Sequence, residues 1–138
     1  MTKNKTSITI FFSLLALLIL AGEGMAQQPK FALATIPFEF WIEGSPLPSG
    51  DYRIEHVEST AYLLFQSTDG KVVKDAYTLP LDETPVKEAD AKLVFRIENG
   101  RRYLYGGWGP YGKRVVTAES VRPAPSGNQR VEVPISYH

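Results

Sequence analysis

The chain has 138 residues, 43% of them apolar, with 15 basic and 15 acidic side chains and no cysteine. A near-neutral chain has little electrostatic reason to hold nucleic acid or an acidic membrane surface. The lack of cysteine removes disulfides and thiol chemistry, so any fold must rest on packing and backbone hydrogen bonds.

The first 26 residues have the three parts of a secretory leader. Lys3 and Lys5 make a positive start, residues 8–20 make an apolar run broken only by Thr9 and Ser13, and Gly24-Met25-Ala26 supplies small residues at −3 and −1. A spanning helix needs about 20 apolar residues; this run is shorter, so the expectation is a signal-peptide helix over 1–26, cleaved after Ala26, with no membrane span afterwards. Removing residues 1–26 from 138 leaves 112, expected to form one domain over 27–138. Lys3, Lys5 and Glu23 leave with the leader, so the 15 basic and 15 acidic side chains fall to 13 and 14. A chain of this size buries about 65% of its unfolded surface, enough for one core without staples.

Residues 30–42 read as the first strand. Ala34, Ile36, Phe38, Phe40 and Ile42 fall on every second residue, the period of a half-buried strand. Thr35, Glu39 and Trp41 take the other face. Pro46, Pro48 and Gly50 predict a reversal into a second strand over 51–57, with Tyr52 and Ile54 inward. Residues 60–66 and 71–79 predict a hairpin around Asp69-Gly70, and 80–90 a polar loop or single helical turn.

Residues 92–105 give the best-defined hairpin. Asn99-Gly100 is the favoured pair for a type I′ turn, and a two-residue loop sets facing residues to sum to 199. Phe95 then opposes Leu104 on the core face, while Val94 opposes Tyr105, Arg96 opposes Tyr103 and Glu98 opposes Arg101 on the other. Residues 106–112 read as a glycine-rich loop, 114–121 as a short strand or short helix, and 123–129 as turn. Residues 130–137 alternate around Val131, Val133 and Ile135, but Pro134 confines them to a sheet edge; 127–138 is a candidate edge strand and tail. The sum is an all-β domain: a small antiparallel β-sandwich or barrel of seven to eight short strands.

With these segments placed, the chain resembles a family of small exported single-domain β-proteins common in soil acidobacteria. The matching residues are Ile36-Pro37-Phe38-Glu39-Phe40, then Leu47-Pro48-Ser49-Gly50-Asp51-Tyr52-Arg53-Ile54. Leu63-Leu64-Phe65, Asp69-Gly70-Lys71, Lys92-Leu93-Val94-Phe95 and Tyr103-Leu104 with Trp108 follow, so the resemblance covers roughly residues 31–118. It implies fold and export, and no activity. After Val116 the chain departs from the pattern.

Chemistry-bearing patterns are few. Gly107-Trp108-Gly109-Pro110-Tyr111-Gly112 fits Gly-x-Gly-x-x-Gly, and 107–113 fits the first seven positions of a Walker A loop. Both need a helix afterwards to hold phosphate, whereas Pro110 sits inside the motif and Val115-Val116-Thr117 follows it; Arg114 stands where Ser or Thr should bind magnesium. His56 and His138 are the only histidines, too few for a metal site of three or four converging ligands. Glu39 and Glu43 would lie about 13 Å apart along a strand, too far for a retaining glycosidase pair. Asp82-Glu83 and Glu88 with Asp90 lie in a polar loop with no apolar wall to raise a pKa. No catalytic residue, metal or cofactor is therefore expected.

What remains is an aromatic set, Trp41, Tyr103, Tyr105, Trp108 and Tyr111, flanked by Arg96, Arg101 and Lys113. Side by side, these rings would form a ligand-binding platform for sugars or an apolar ligand; otherwise they cover the sheet or pack beneath loops. The expectation is a secreted or periplasmic, non-enzymatic binding or structural module whose partner is cell-envelope polysaccharide or another envelope protein. A small barrel carrying an apolar ligand is the alternative.

Overall fold

The computed structural model describes residues 31–57 and 60–137. The expected leader helix over 1–26, and His138, lie outside the described residues. Within them the protein is all-β, with eleven strands, no α-helix and three single 3₁₀ turns (Glu88–Asp90, Thr117–Glu119 and Gly127–Gln129).

The strands are β1 (Ala32–Ile36), β2 (Phe40–Ile42), β3 (Ser45–Leu47), β4 (Gly50–His56), β5 (Tyr62–Ser67), β6 (Val73–Asp82), β7 (Lys92–Glu98), β8 (Arg101–Gly109), β9 (Gly112–Val116), β10 (Arg130–Pro134) and β11 (Ser136–Tyr137). Eleven exceeds the seven or eight read from sequence because two expected strands are each divided and a further strand, β3, forms where only a turn was expected. The run 30–42 breaks after Ile36, where Pro37 interrupts the ladder. The first reversal then falls at Glu43-Gly44, both with positive φ (49° and 83°), rather than at the prolines, and so creates the β2–β3 hairpin. The last segment divides at Ile135, whose N–H leaves the ladder for the carbonyl of Ala91 (3.2 Å). Alternation survives the first break, because Ala32, Ala34, Ile36, Phe40 and Ile42 are all buried.

Neighbouring strands follow the order β10-β7-β8-β9-β6-β5-β4-β1-β11, and the ladder does not close. β6 turns the corner. Its first half pairs with β5 (Tyr62↔Tyr77 to Gln66↔Val73) and its second with β9 (Thr78↔Val116, Leu79↔Val115). The β2–β3 hairpin lies off this path, touching β8 at one parallel bridge, Trp41↔Tyr103. Glu43 at its tip accepts the backbone N–H of Tyr77 (2.8 Å), satisfying β6 at the corner.

The inner faces enclose one cluster that includes Ile36, Phe40, Ile42, Tyr52, Ile54, Leu63, Phe65, Leu93, Phe95 and Leu104. Phe40 sits at its centre, edge-on to Tyr52 (5.2 Å) and Phe95 (5.6 Å), a geometry aromatic quadrupoles favour. Each fully buried large side chain here contributes about 1.5–3 kcal/mol from apolar burial alone. Phe38, in the break between β1 and β2, is only half-buried, edge-on to Phe95 (5.1 Å).

The β7–β8 hairpin turns at Asn99-Gly100 with φ 52° and 76°, as a type I′ turn requires. Phe95↔Leu104, Arg96↔Tyr103 and Glu98↔Arg101 pair as expected, but a bulge after Phe95 leaves Tyr105 unmatched and sets Val94 opposite Gly106. That extra residue reverses the parity beyond it, so Gly107 faces the core and Trp108 faces out. Residues 106–112 are not a loop. β8 runs to Gly109, Pro110 and Tyr111 make the turn, and β9 begins at Gly112. Residues 114–121 combine both expectations: β9 ends at Val116 and a 3₁₀ turn follows.

Candidate functional site

The fold places the five rings singled out from the sequence in three separate positions. Trp41 and Tyr103 are neighbours because β2 bridges β8 there; their centroids are 6.3 Å apart, and the Arg101 guanidinium lies 4.3 Å from the Trp41 ring. Both are half-buried on the outer face.

Tyr105 and Trp108, also 6.3 Å apart, are only 7% and 9% exposed. Tyr105 keeps the outward face set by the turn and the bulge brings Trp108 out beside it, where the two form a second small cluster with Val94 and Val115, covered by Val86. The segment after β9 folds over this face. Arg96 fixes it, donating from Nε to Glu119 (2.9 Å) and from Nη2 to the Pro123 carbonyl (2.6 Å), with its guanidinium 5.7 Å from the Tyr105 ring. Tyr105 and Trp108 thus act as core for a cover of chain.

Tyr111 turns inward. Its ring lies over Gly107 and Gly109, where an added Cβ would come within 2.9 Å and 2.8 Å of it. The His56 ring is 6.1 Å away, and His56 Nε2 is 2.9 Å from the Thr60 carbonyl. The Tyr111 hydroxyl is buried with no hydrogen-bond partner, and burial raises its pKa. Beside it stands Arg114, only 7% exposed, with Nε donating to Thr78 Oγ1 (2.7 Å). Burial lowers the Arg114 pKa, while Glu83 and Tyr111 oppose that shift. Neither Arg114 nor Thr78 was singled out as a site residue from sequence. The available clue was parity, since Arg114 shares the inward face of the apolar Val116.

A second feature lies where the ladder fails to close. β11 pairs only with Ala32 and Leu33, so Ala34, Thr35 and Ile36 have a strand partner on the β4 side alone. β10 pairs with β7 and ends the ladder on that side. Between them opens a groove of about 560 Å³, lined by Leu33, Ala34, Thr35 and Tyr52, with Pro134, Ile135 and Ser136 opposite. Asp51 stands at its rim and accepts the Thr35 hydroxyl (2.6 Å). Sequence parity gave no clue to the groove; only Pro134 hinted at an edge.

Among the described residues, no three His, Cys, Asp or Glu side chains converge as a metal site would require. No helix of the described residues is long and apolar enough to cross a membrane. Comparison with family models, with curated proteins and with solved structures found no match.

Proposed function

We propose that the mature chain is an exported, non-catalytic binding module, an open barrel whose unclosed seam takes an extended segment of another envelope protein as an added strand. The observation that carries this reading is the groove of about 560 Å³ along the half-paired edge of β1. An unpaired edge offers a row of backbone donors and acceptors, and strand addition satisfies them while alternate side chains enter the groove. Asp51 and Asp69 near the mouth favour a segment with a basic flank. The leader over 1–26 and the resemblance to small exported β-proteins support action in the periplasm or outside the cell.

The alternative of an apolar-ligand carrier needs an enclosed cavity of about 300 Å³ or more. The interior is instead occupied by Phe40, Tyr52, Phe65 and Phe95, which favours a surface site. Envelope polysaccharide remains the second partner class, favoured by the Trp41–Tyr103 pair with Arg101 stacked on it.

The test is titration of residues 27–138 with a short peptide alternating Thr and Val and ending in lysine, followed by backbone NMR. Chemical-shift changes should map to β1 and β10, and N-methylation of alternate peptide amides should abolish them. Thr35→Lys, which places a charge on the edge, should weaken binding by about tenfold or more. Equal binding of the methylated peptide would overturn strand addition. Retention on purified cell-wall polysaccharide that disappears in Trp41→Ala/Tyr103→Ala would move the function to the outer rings.

A further inference from the structure

Residues 27–138 contain no sulfur. The chain has no cysteine, and its two methionines, Met1 and Met25, both precede residue 27. Thiols and thioethers ordinarily take an oxidant first; here the readily oxidised side chains are those of tyrosine and tryptophan. Of the tyrosines, Tyr52 and Tyr105 are 1% and 7% exposed, and the Tyr111 hydroxyl is buried. Tyr137 donates its hydroxyl to the Val86 carbonyl, and Tyr103 packs beside Trp41.

Tyr62 and Tyr77 differ from these. They are direct cross-strand partners on β5 and β6, a placement that brings Cβ atoms to about 4.5–5.5 Å. Ala76 and Thr78 on either side of Tyr77 are fully buried, so Tyr77 points outward, and it is 50% exposed. The two ring centroids are 4.3 Å apart and the rings are tilted by 49°. The Tyr62 hydroxyl donates to the Tyr77 hydroxyl oxygen (2.5 Å). Among the described residues this is the only contact between two tyrosine rings. Glu43 holds the strand at this point by accepting the Tyr77 backbone N–H (2.8 Å).

We propose that Tyr62 and Tyr77 form a modification site at which hydrogen peroxide, acting through a haem peroxidase, joins the two rings as dityrosine. Each phenol gives up one electron and its hydroxyl proton to become a phenoxyl radical. The radicals couple through the carbons ortho to oxygen, forming one C–C bond. Each ortho carbon then passes its hydrogen, as a proton, to its own oxygen, which restores both aromatic rings and both hydroxyls. Two electrons and two protons leave in all, and peroxide takes them as its O–O bond breaks to give two waters. The product holds its rings twisted and its hydroxyls side by side, as the pair already stands, so β5 and β6 need move little. The new bond closes the chain across the β5–β6 turn and restricts the unfolded state as a disulfide would. A domain without cysteine thereby gains a covalent staple. Neither ring lines the seam groove, so this site and strand addition fail independently.

The test treats dilute residues 27–138 with hydrogen peroxide and a haem peroxidase, then isolates the monomer by gel filtration. Its mass should fall by two hydrogens, it should show the blue fluorescence of dityrosine, and tandem mass spectra should place the bond between Tyr62 and Tyr77. Tyr62→Phe and Tyr77→Phe keep the rings and the packing, and each should abolish that fluorescence in the monomer. The linked monomer should unfold at a higher urea midpoint than the untreated protein. A monomer that stays unlinked while tryptophan is oxidised, linkage only between molecules, or a monomer cross-link that persists in Tyr62→Phe would overturn the site. An unchanged urea midpoint would overturn its role as a staple.

Discussion

Gly112 shows how much a single position can fix. Its φ is +85°, and a Cβ there would lie 2.3 Å from the Asp82 carbonyl oxygen. Gly70 has a similar φ of +76° but open space around it. The pair separates backbone strain from steric collision. Gly70→Ala should cost about 1–2 kcal/mol, the left-handed penalty alone. Gly112→Ala carries that penalty plus displacement of the β6 end and should cost about 3 kcal/mol or more. Urea denaturation of both variants checks this; equal losses would show that the Asp82 contact yields without cost. The glycines of 107–112 therefore serve close packing, Gly107 and Gly109 beneath the Tyr111 side chain and Gly112 against the end of β6, without the helix that a phosphate loop needs.

At the scale of elements, the bulge in β8 determines how the aromatic residues are used. Without it Val94 would face Tyr105, and the residues beyond would keep the parity set by the turn. The added residue sends Trp108 outward beside Tyr105, creating an apolar patch with Val94 and Val115 on which Val86 packs, while the chain after β9 lies as a cover over the neighbouring Arg96. The Arg96–Glu119 pair holds this cover, with side-chain exposures of 7% and 12%. Removing one member of a buried pair strands the other charge, so Glu119→Ala should cost about 3 kcal/mol. Arg96→Met combined with Glu119→Leu should recover most of that, because no desolvated charge remains. A double-mutant cycle measured by denaturant unfolding tests the coupling; a double variant no more stable than Glu119→Ala would show that the Pro123 contact, not the ion pair, secures the cover.

For the whole molecule, the ionisable groups define a pH range. Hydrogen bonds from Ser67 to Asp69, from the Thr84 backbone to Asp82, and from Lys92 and Arg130 to Glu132 hold these carboxyls below their ordinary values. Their contribution is present above pH about 4 and is lost as pH falls through the lowered folded values. Tyr52, Tyr111 and Tyr137 are raised chiefly by burial, and Tyr62 chiefly by its hydrogen bond to Tyr77. The folded state therefore keeps protons that the unfolded state releases above pH about 10, so their contribution is complete below that pH and falls as pH rises beyond it. Urea midpoints measured against pH should show a plateau with losses at both ends. Tyr111→Phe should flatten the alkaline limb and, by removing an orphaned hydroxyl, raise stability at pH 7 by about 1 kcal/mol. An alkaline limb identical to that of the parent would show that Tyr111 does not govern it.

The strand class, the alternation that fills the core, the Asn99-Gly100 turn and the register of the residues next to it were legible in the local pattern of the chain. Each depends on a period of two or on local turn chemistry, and both act over a few neighbouring residues. Tertiary structure alone decided where strands divide, how the bulge at Tyr105 redirects Trp108, and which rings meet. It also decided that Arg114 is buried without a carboxylate and that β1 keeps an unpaired edge beside β10. Those outcomes come from segments far apart in the chain competing for the same faces and hydrogen bonds, and local periodicity carries no information about that competition.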